Sequence, residues 1–134
     1  MGGEIDMVAN AKKIGLFALG VAFMKYMTAL EEQQEVVANI TDILMNAYAM
    51  ESAMLRAEKK NSENAKEMAA VFAREAMDTI ESAAKTVLAA CGEGDGLRTN
   101  LAVLKRFTKY EPVNTIGLRR KIAARMIEAG KYVV

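Results

Sequence analysis

The side chains that most often perform chemistry in proteins are scarce in this sequence. It contains no histidine, and Cys91 is its only cysteine. Without histidine, the commonest general acid–base group and the Glu-x-x-His ligand pattern of di-iron bundles are both missing. The carboxylates of Glu31, Glu32 and Glu35 are typical of a solvated first turn of a helix. We therefore predict no catalytic, cofactor-binding or metal-binding residue in this chain.

The glycine-rich segment GEGDG, residues 92–96, does not have the pattern of a phosphate-binding loop. No Gly-Lys-Ser/Thr sequence follows it, and no strand is predicted before it. The segment instead predicts that one helix ends at a glycine and that Asp95 opens the next. The lone Cys91 permits no internal disulfide, fits a reducing compartment, and is expected to be a small buried apolar residue near a helix end.

Glu51 is the only charged residue between Asp42 and Arg56, in a segment that is apolar on more than one face. Its side chain is predicted to project between two apolar stripes of a helix. A buried carboxylate needs a partner or a raised pKa. We expect Glu51 to form a buried ion pair with a basic residue of the last helix. The alternative is a role at a contact with another domain.

The composition predicts an all-α protein. The 134 residues include one proline and no tryptophan, and Ala, Met, Glu and Lys, which favour helix, are abundant. We predict a single domain over residues 4–134, after a disordered start or a remnant of cloning at residues 1–3. The longest uncharged run, residues 14–24, is too short for a membrane-spanning helix, which needs roughly 20 residues.

Capping and breaking residues divide the chain into three long helices and a short pair. Thr28 and Glu31 have the spacing of a capping box, and Asn61-Ser62 precedes another helical segment. Asn114 or Thr115 caps the last helix, and Gly130 ends it. Short loops between the helices predict an antiparallel bundle of about four to five helices. The predicted helices cover approximately residues 4–26, 28–60, 62–91, 97–109 and 114–129.

The first two helices carry more apolar surface than one contact requires. In the first, a stripe of small residues would allow another helix to approach closely, and larger apolar side chains flank it on both sides. We expect this helix to lie in the interior. In the second helix, two apolar stripes are expected to contact two neighbours within the bundle. The small residues are Ala11, Gly15, Ala18 and Ala22; the two stripes are Ile43, Ala47, Met50, Met54 and Ala57, and Leu44, Tyr48 and Leu55.

Charge is unevenly distributed along the chain. Residues 1–97 have a net charge of −6, and residues 98–134 have a net charge of +7. One interpretation is that helices of opposite charge screen each other inside the bundle. The other is that the basic helices dock an anionic partner, either a membrane surface or an acidic face of another domain. Candidate docking residues are Arg119, Arg120 and Arg125. Nucleic acid is not expected as a partner, because aromatic residues near this cluster are few and no recognised motif is present.

Two segments resemble a known family. The segment from Asp42 to Lys59 fits a pattern D-[IL]-x-x-x-x-Y-A-M-x-S-A-x-x-R-A, and residues 114–134 extend the similarity. They resemble the extra C-terminal helical domain of bacterial acyl-CoA dehydrogenases related to the mitochondrial very-long-chain enzyme. The resemblance covers essentially the whole chain, although the motif consists mainly of core residues. The matching positions are Asp42, Ile43, Tyr48, Ala49, Met50, Ser52, Ala53, Arg56 and Ala57.

The resemblance implies that the chain is one domain of a larger fatty-acid-oxidising flavoenzyme. Such enzymes bind FAD and acyl-CoA in a separate core, whose glutamate base has no counterpart here. The domain itself is expected to be inactive and without cofactor, and to pack against the parent's catalytic core or a second subunit. The expected location is cytoplasmic, or peripheral at the inner face of the membrane. The alternative function is a freestanding helical adaptor that binds a partner helix through a Met-rich face.

Overall fold

The computed structural model describes residues 2–134, which form five α-helices and one 3₁₀ segment, with no strand in that range. The all-α prediction is therefore confirmed. Short connections join successive helices, as in an up-and-down bundle. The elements are α1 (Gly2–Tyr26), the 3₁₀ segment Met27–Glu32, α2 (Gln34–Lys60), α3 (Glu63–Cys91), α4 (Gly94–Phe107) and α5 (Thr115–Ala129).

Three predicted caps are confirmed. The hydroxyl of Ser62 accepts a hydrogen bond from the backbone N–H of Ala65 at the start of α3 (3.3 Å). The side chain of Asn114 accepts one from the N–H of Gly117 at the start of α5 (3.0 Å). Gly130 ends α5 in the left-handed conformation, with φ +68°, which glycine adopts without steric cost.

The predicted capping box at Thr28 is wrong. Met27 has a positive φ of +50°, which ends α1, and the six residues from Met27 to Glu32 form a 3₁₀ segment instead of the first turn of α2. The N–H of Gln33 closes this segment by donating to the carbonyl of Leu30 (2.9 Å). Helix α2 begins only at Gln34, well after the predicted start.

Two other boundaries differ by a few residues. Gly2 and Gly3 belong to α1, so the helix extends before the predicted start at Glu4, while Met1 lies outside the described residues. Helix α4 begins at Gly94, and Asp95 lies within its first turn. There Asp95 forms an exposed ion pair with Arg98, three residues later (2.8 Å), and an acidic side chain in a first turn is favourable to the helix dipole.

Helix α3 is the centre of the bundle and packs against α1, α2, α4 and α5. The side chains of Ile43 and Met50 on α2 meet Met77, Ile80 and Leu88 on α3 in one core, and all five are essentially inaccessible to solvent. Burying a side chain of this size contributes roughly 1.5 to 3 kcal/mol. The first predicted stripe of α2 is therefore confirmed as core.

Helix α1 faces the bundle with its small residues. Ala11, Ala18 and Ala22 are each 0% exposed, and Gly15 is also buried. A Cβ atom on Gly15 would lie only 2.7 Å from Cδ2 of Leu44 and 3.4 Å from Cγ2 of Ile43, so α1 and α2 approach closely there. The predicted stripe is thus a helix–helix contact.

The prediction that α1 lies in the interior is wrong. Helix α2 contacts two neighbours, α1 and α3, as predicted, and Leu44 lies beside Gly15, but the rest of the second stripe is exposed. On α1, Leu16 and Phe23 are 67% and 53% exposed, and on α2, Tyr48 and Leu55 are 72% and 59% exposed. Helix α1 packs against α2, α3 and α4, and α2 packs against α1 and α3, and these contacts leave the four side chains uncovered. The segment Gly3–Glu32 is long and apolar enough to cross a bilayer, but the core helices of soluble proteins share this property. Of its most apolar stretch of 18 residues, 39% is buried inside the bundle.

Replacing Gly15 with leucine should destabilise the bundle. The new side chain would enter the contact with Ile43 and Leu44, and overpacking of this kind costs about 1 to 3 kcal/mol. Thermal unfolding followed by circular dichroism measures the change.

Gly20→Leu is the matched control, because Gly20 lies on α1 and a Cβ atom added there would have no neighbour within 4 Å. It should be neutral or slightly stabilising, since leucine favours helix over glycine. Equal effects at both positions would contradict the close contact at Gly15.

Candidate functional site

The most distinctive surface of the molecule is an apolar face shared by α1, α2 and the 3₁₀ segment, here named the α1–α2 apolar face. Within each helix successive members are 3, 4, 7 or 11 residues apart, close to whole numbers of helical turns, so they form one row on α1 and one on α2. Exposed fractions in these rows range from 37% to 72%. The face consists of Ile5, Leu16, Leu19, Phe23, Met27, Val37, Leu44, Tyr48 and Leu55.

Two separate hollows lie along the line between the two rows, one near each end of α1, and this line is here named the α1–α2 groove. Near the start of α1, a hollow of about 350 Å³ is lined by Ile5, Val8 and Ala9 from α1 and by residues of α2. Near the end of α1, a second hollow of about 400 Å³ is lined mainly by Leu19, Phe23 and residues of the following turn and α2. Exposed apolar patches often mark an interaction surface.

Glu51 lies within this groove and forms an ion pair with Lys12 of α1. The partner is therefore not a residue of the last helix, because α5 packs only against α3 among the helices of residues 2–134. The pair is also not buried, since the side chains of Lys12 and Glu51 are 52% and 37% exposed. An exposed pair of this kind contributes only about 0 to 1 kcal/mol.

Two of the three candidate docking arginines form ion pairs inside the bundle. Arg119 pairs with Glu75 of α3, and Arg125 pairs with Glu67 of α3 (3.2 Å). Within the described part of the chain, no salt bridge involves Arg120. The structure therefore brings Arg119 and Arg125 to α3 and leaves Arg120 at the surface.

A buried polar cluster holds α5 to α3, and Asn64, which sequence reasoning missed, is part of it. Asn64 is 9% exposed, accepts a hydrogen bond from Arg125 (2.6 Å), and donates one to the carbonyl of Val133 (2.8 Å). Glu67 accepts from Lys121 (2.9 Å) as well as from Arg125. Burial acts to raise the pKa of Glu67, but the hydrogen bonds from Lys121 and Arg125 outweigh it and hold that pKa below its usual range.

A second cluster that sequence reasoning missed is centred on Arg74 of α3. Its guanidinium donates to the carboxylate of Glu4 on α1 (2.8 Å) and to the carbonyl of Glu111 in the α4–α5 loop (3.2 Å). The Arg74 and Glu4 side chains are only 11% and 12% exposed. Burial acts to raise the pKa of Glu4, and the hydrogen bond and charge of Arg74 help to lower it overall. Spacing along the chain gives no signal for this contact, because it joins residues 70 positions apart.

Residues 2–134 contain no group of three or more His, Cys, Asp or Glu side chains that could hold a metal ion. Burial raises the pKa of the half-buried Cys91 thiol, whereas a reactive thiol requires a lowered pKa. The methionines of α2 do not form a binding face, since Met50 and Met54 are core residues and Met45 is the exposed one. The α1–α2 apolar face therefore remains the most distinctive feature among the described residues.

Comparison with known proteins identifies the class of this helical bundle. Residues 10–106 match the family model described as "Acyl-CoA dehydrogenase, C-terminal domain". The chain belongs to this family.

Two relatives illustrate the similarity. A "Probable acyl-CoA dehydrogenase" of Bacillus subtilis (strain 168) is 44% identical over 138 residues, covering 98% of this chain and 23% of the relative. The crystal structure of an acyl-CoA dehydrogenase complexed with FAD from Bacillus anthracis is 42% identical, with a TM-score of 0.95, covering 98% of this chain and 24% of that one. The chain thus spans about a quarter of the length of the relatives it matches.

The contact between α5 and α3 should weaken in acid. Because the pKa of Glu67 is lower in the folded state than in the unfolded state, its ionised form stabilises the fold above the unfolded pKa, about 4.3. This contribution is lost as the pH falls through the folded pKa. Glu67→Gln should lower the free energy of unfolding at pH 7 by about 1 to 3 kcal/mol, and by much less at pH 3.

Urea unfolding at the two pH values measures this difference. Glu128→Gln is the control, because Glu128 is exposed on α5 and forms no salt bridge within residues 2–134. A Glu67→Gln effect of the same size at pH 7 and pH 3 would contradict the assigned role of the carboxylate charge.

Proposed function

We propose that this chain is the non-catalytic C-terminal helical domain of an FAD-dependent acyl-CoA dehydrogenase. In this proposal the α1–α2 apolar face packs against the rest of the enzyme or against a second subunit. The observation that carries the proposal is the exposure of large side chains such as Leu16, Phe23 and Tyr48 on a bundle whose own core is complete. An exposed apolar surface along two helices is typical of a contact with another protein element.

The catalytic chemistry is assigned to the part of the enzyme outside this chain. One of the similar proteins is an acyl-CoA dehydrogenase complexed with FAD, and this supports FAD as the cofactor of the parent. FAD would supply the redox chemistry there, and residues 2–134 would supply packing surface.

The narrower assignment, to the branch related to the very-long-chain enzyme, rests on the sequence pattern around Tyr48 and Met50. We place the parent in the cytoplasm.

The alternative of a freestanding adaptor is weakened by the position of its methionines. Met50 and Met54 are 0% and 5% exposed, so they stabilise the bundle and do not reach a partner. The adaptor would have to use the α1–α2 apolar face instead. Both functions therefore depend on the same surface, and the content of the complete reading frame distinguishes them.

The purified 134-residue chain should contain no flavin and should not oxidise acyl-CoA, because catalysis and FAD binding are assigned to the remaining three quarters of the parent. Absorbance near 450 nm measures bound flavin, and a dye-reduction assay with acyl-CoA measures dehydrogenase activity. The product of the complete reading frame should have a stoichiometric flavin spectrum and activity. Stoichiometric flavin on the 134-residue chain, or a reading frame that begins at Met1, would contradict the proposal.

A second candidate role, contact with an anionic membrane surface, is supported by the outer side of α5. Arg120 and the exposed Ile116 and Ile127 lie on one side of the helix, with Lys131 just beyond its end. Basic residues beside exposed apolar ones suit an anionic lipid surface. Since Arg119 and Arg125 are paired with α3, this role would depend on Arg120 and Lys131 among the cations of the last helix and its end.

Arg120→Gln with Lys131→Gln should abolish binding to vesicles of anionic phospholipid without changing the melting temperature. Each cation near such a surface contributes about 1 kcal/mol, and the contribution decreases with salt. Co-sedimentation at low and high salt measures binding. Lys59→Gln with Lys60→Gln, two exposed cations at the end of α2, is the control. Failure of the wild-type chain to bind at low salt would eliminate this role.

A further inference from the structure

The hollow near the start of α1 differs from the rest of the α1–α2 apolar face because charged side chains also line it. Its walls are apolar and include Ile5 on α1 and Met54 and Leu55 on α2. The same hollow is lined by Lys12, Glu51 and Glu58. It therefore combines an apolar lining of about 350 Å³ with two carboxylates and one ammonium group.

One of these two carboxylates has a partner and the other has none. Glu51 pairs with Lys12 across the groove. No salt bridge to Glu58 occurs among residues 2–134, and its side chain is exposed. The hollow thus has one more negative than positive charge.

The position of Glu58 is also unfavourable within the domain. It lies two residues before the end of α2 at Lys60. The C-terminal end of a helix carries partial negative charge, so a carboxylate there is disfavoured and a cation is favoured. Glu58 therefore contributes nothing evident to the stability of the bundle.

We propose that this hollow receives an arginine or lysine side chain from a helix of the parent chain that lies along the α1–α2 groove. The inference rests on the proposed function and adds to it the chemistry of the contact. The aliphatic part of the basic side chain packs against Ile5 and Leu55. Its charged end meets the carboxylate of Glu58 and the neighbouring Glu51.

The shape of the groove indicates that its occupant is helical. The row on α1 extends from Ile5 to Phe23, a length of about 27 Å at 1.5 Å per residue, which matches a helix of about 18 residues. Its members lie on one side of α1, and a third helix packs its ridges of side chains into the space between two such rows.

The relatives indicate which chain supplies this helix. The matched relatives contain about three quarters of their length outside the part that corresponds to this chain. A helix from that part is tethered to the groove in the complete protein, and tethering raises its effective concentration far above that of a separate partner. We therefore commit to the parent chain as the source.

The test uses the complete parent protein with the photo-cross-linking residue p-benzoylphenylalanine in place of Tyr48. Tyr48 is 72% exposed on the groove, and Tyr132, 70% exposed outside the α1–α2 apolar face, is the control position. Mass spectrometry of the product should identify a cross-link within one chain, from position 48 to a helical segment that carries a basic residue. Position 132 should not cross-link to that segment.

The decisive variant is Glu58→Lys, which inverts the charge of the hollow and leaves the Lys12–Glu51 pair in place. It should reduce the cross-link yield from position 48 at least about tenfold, because like charges would face each other across the interface. The melting temperature of the 134-residue chain should be unchanged or raised. Glu128→Lys is the matched control, one residue before the end of α5, and should leave the yield unchanged.

The failures of the two proposals are distinguishable. An undiminished yield with Glu58→Lys would overturn the inference about the basic side chain and leave the packing proposal intact. A cross-link between two copies of the chain would show that a second copy is the occupant and overturn the assignment to the same chain. The absence of any cross-link from position 48 in the otherwise wild-type parent would overturn both proposals.

Discussion

The close contact between α1 and α2 determines most of the remaining structure. Small residues of α1 face α2 and α3, and a Cβ atom on Gly15 would lie 2.7 Å from Cδ2 of Leu44. Because a helix places residues three and four positions apart on one face, the larger Leu16, Leu19 and Phe23 must point away from the bundle. Helix α1 thus contributes its small residues, with Met7 and Ile14, to the core, while Leu16 and Phe23 stay exposed. The proposed packing against the parent enzyme follows from this division.

Charged groups hold the parts of the chain that apolar burial does not hold. Arg74 joins the start of α1, the middle of α3 and the loop before α5, and Glu67 joins α3 to two cations of α5. Contacts within the bundle therefore explain part of the opposite charges of the two parts of the sequence, since Arg119, Lys121 and Arg125 pair with carboxylates of α3. Buried and hydrogen-bonded carboxylates elsewhere often mark active sites, but here they connect helices.

The sequence predicted the helical class, the order of the helices and the caps at Ser62, Asn114 and Gly130, because these depend on local preferences. It also predicted the small-residue contact of α1, since periodicity is a local property. It did not predict the turn at Met27, whose positive φ ends α1 one residue before the capping pattern of Thr28. Nor could it show which of two apolar stripes is core, because both have the same pattern and only the position of α3 distinguishes them. The pairing of Glu51 with Lys12 was missed because it depends on how α1 and α2 pack, which spacing along the chain does not show.

The attachment of α5 has a consequence for the internal motions of the domain. This helix contains no buried residue and contacts only α3 among the described helices, mainly through hydrogen-bonded charges. Regions with few buried apolar contacts open separately from the rest of a protein, with a free energy well below that of global unfolding. The backbone amides of α5 are therefore expected to exchange with deuterated solvent through detachment of this one helix. Those of α3, whose side chains fill the core, exchange only when the whole bundle unfolds.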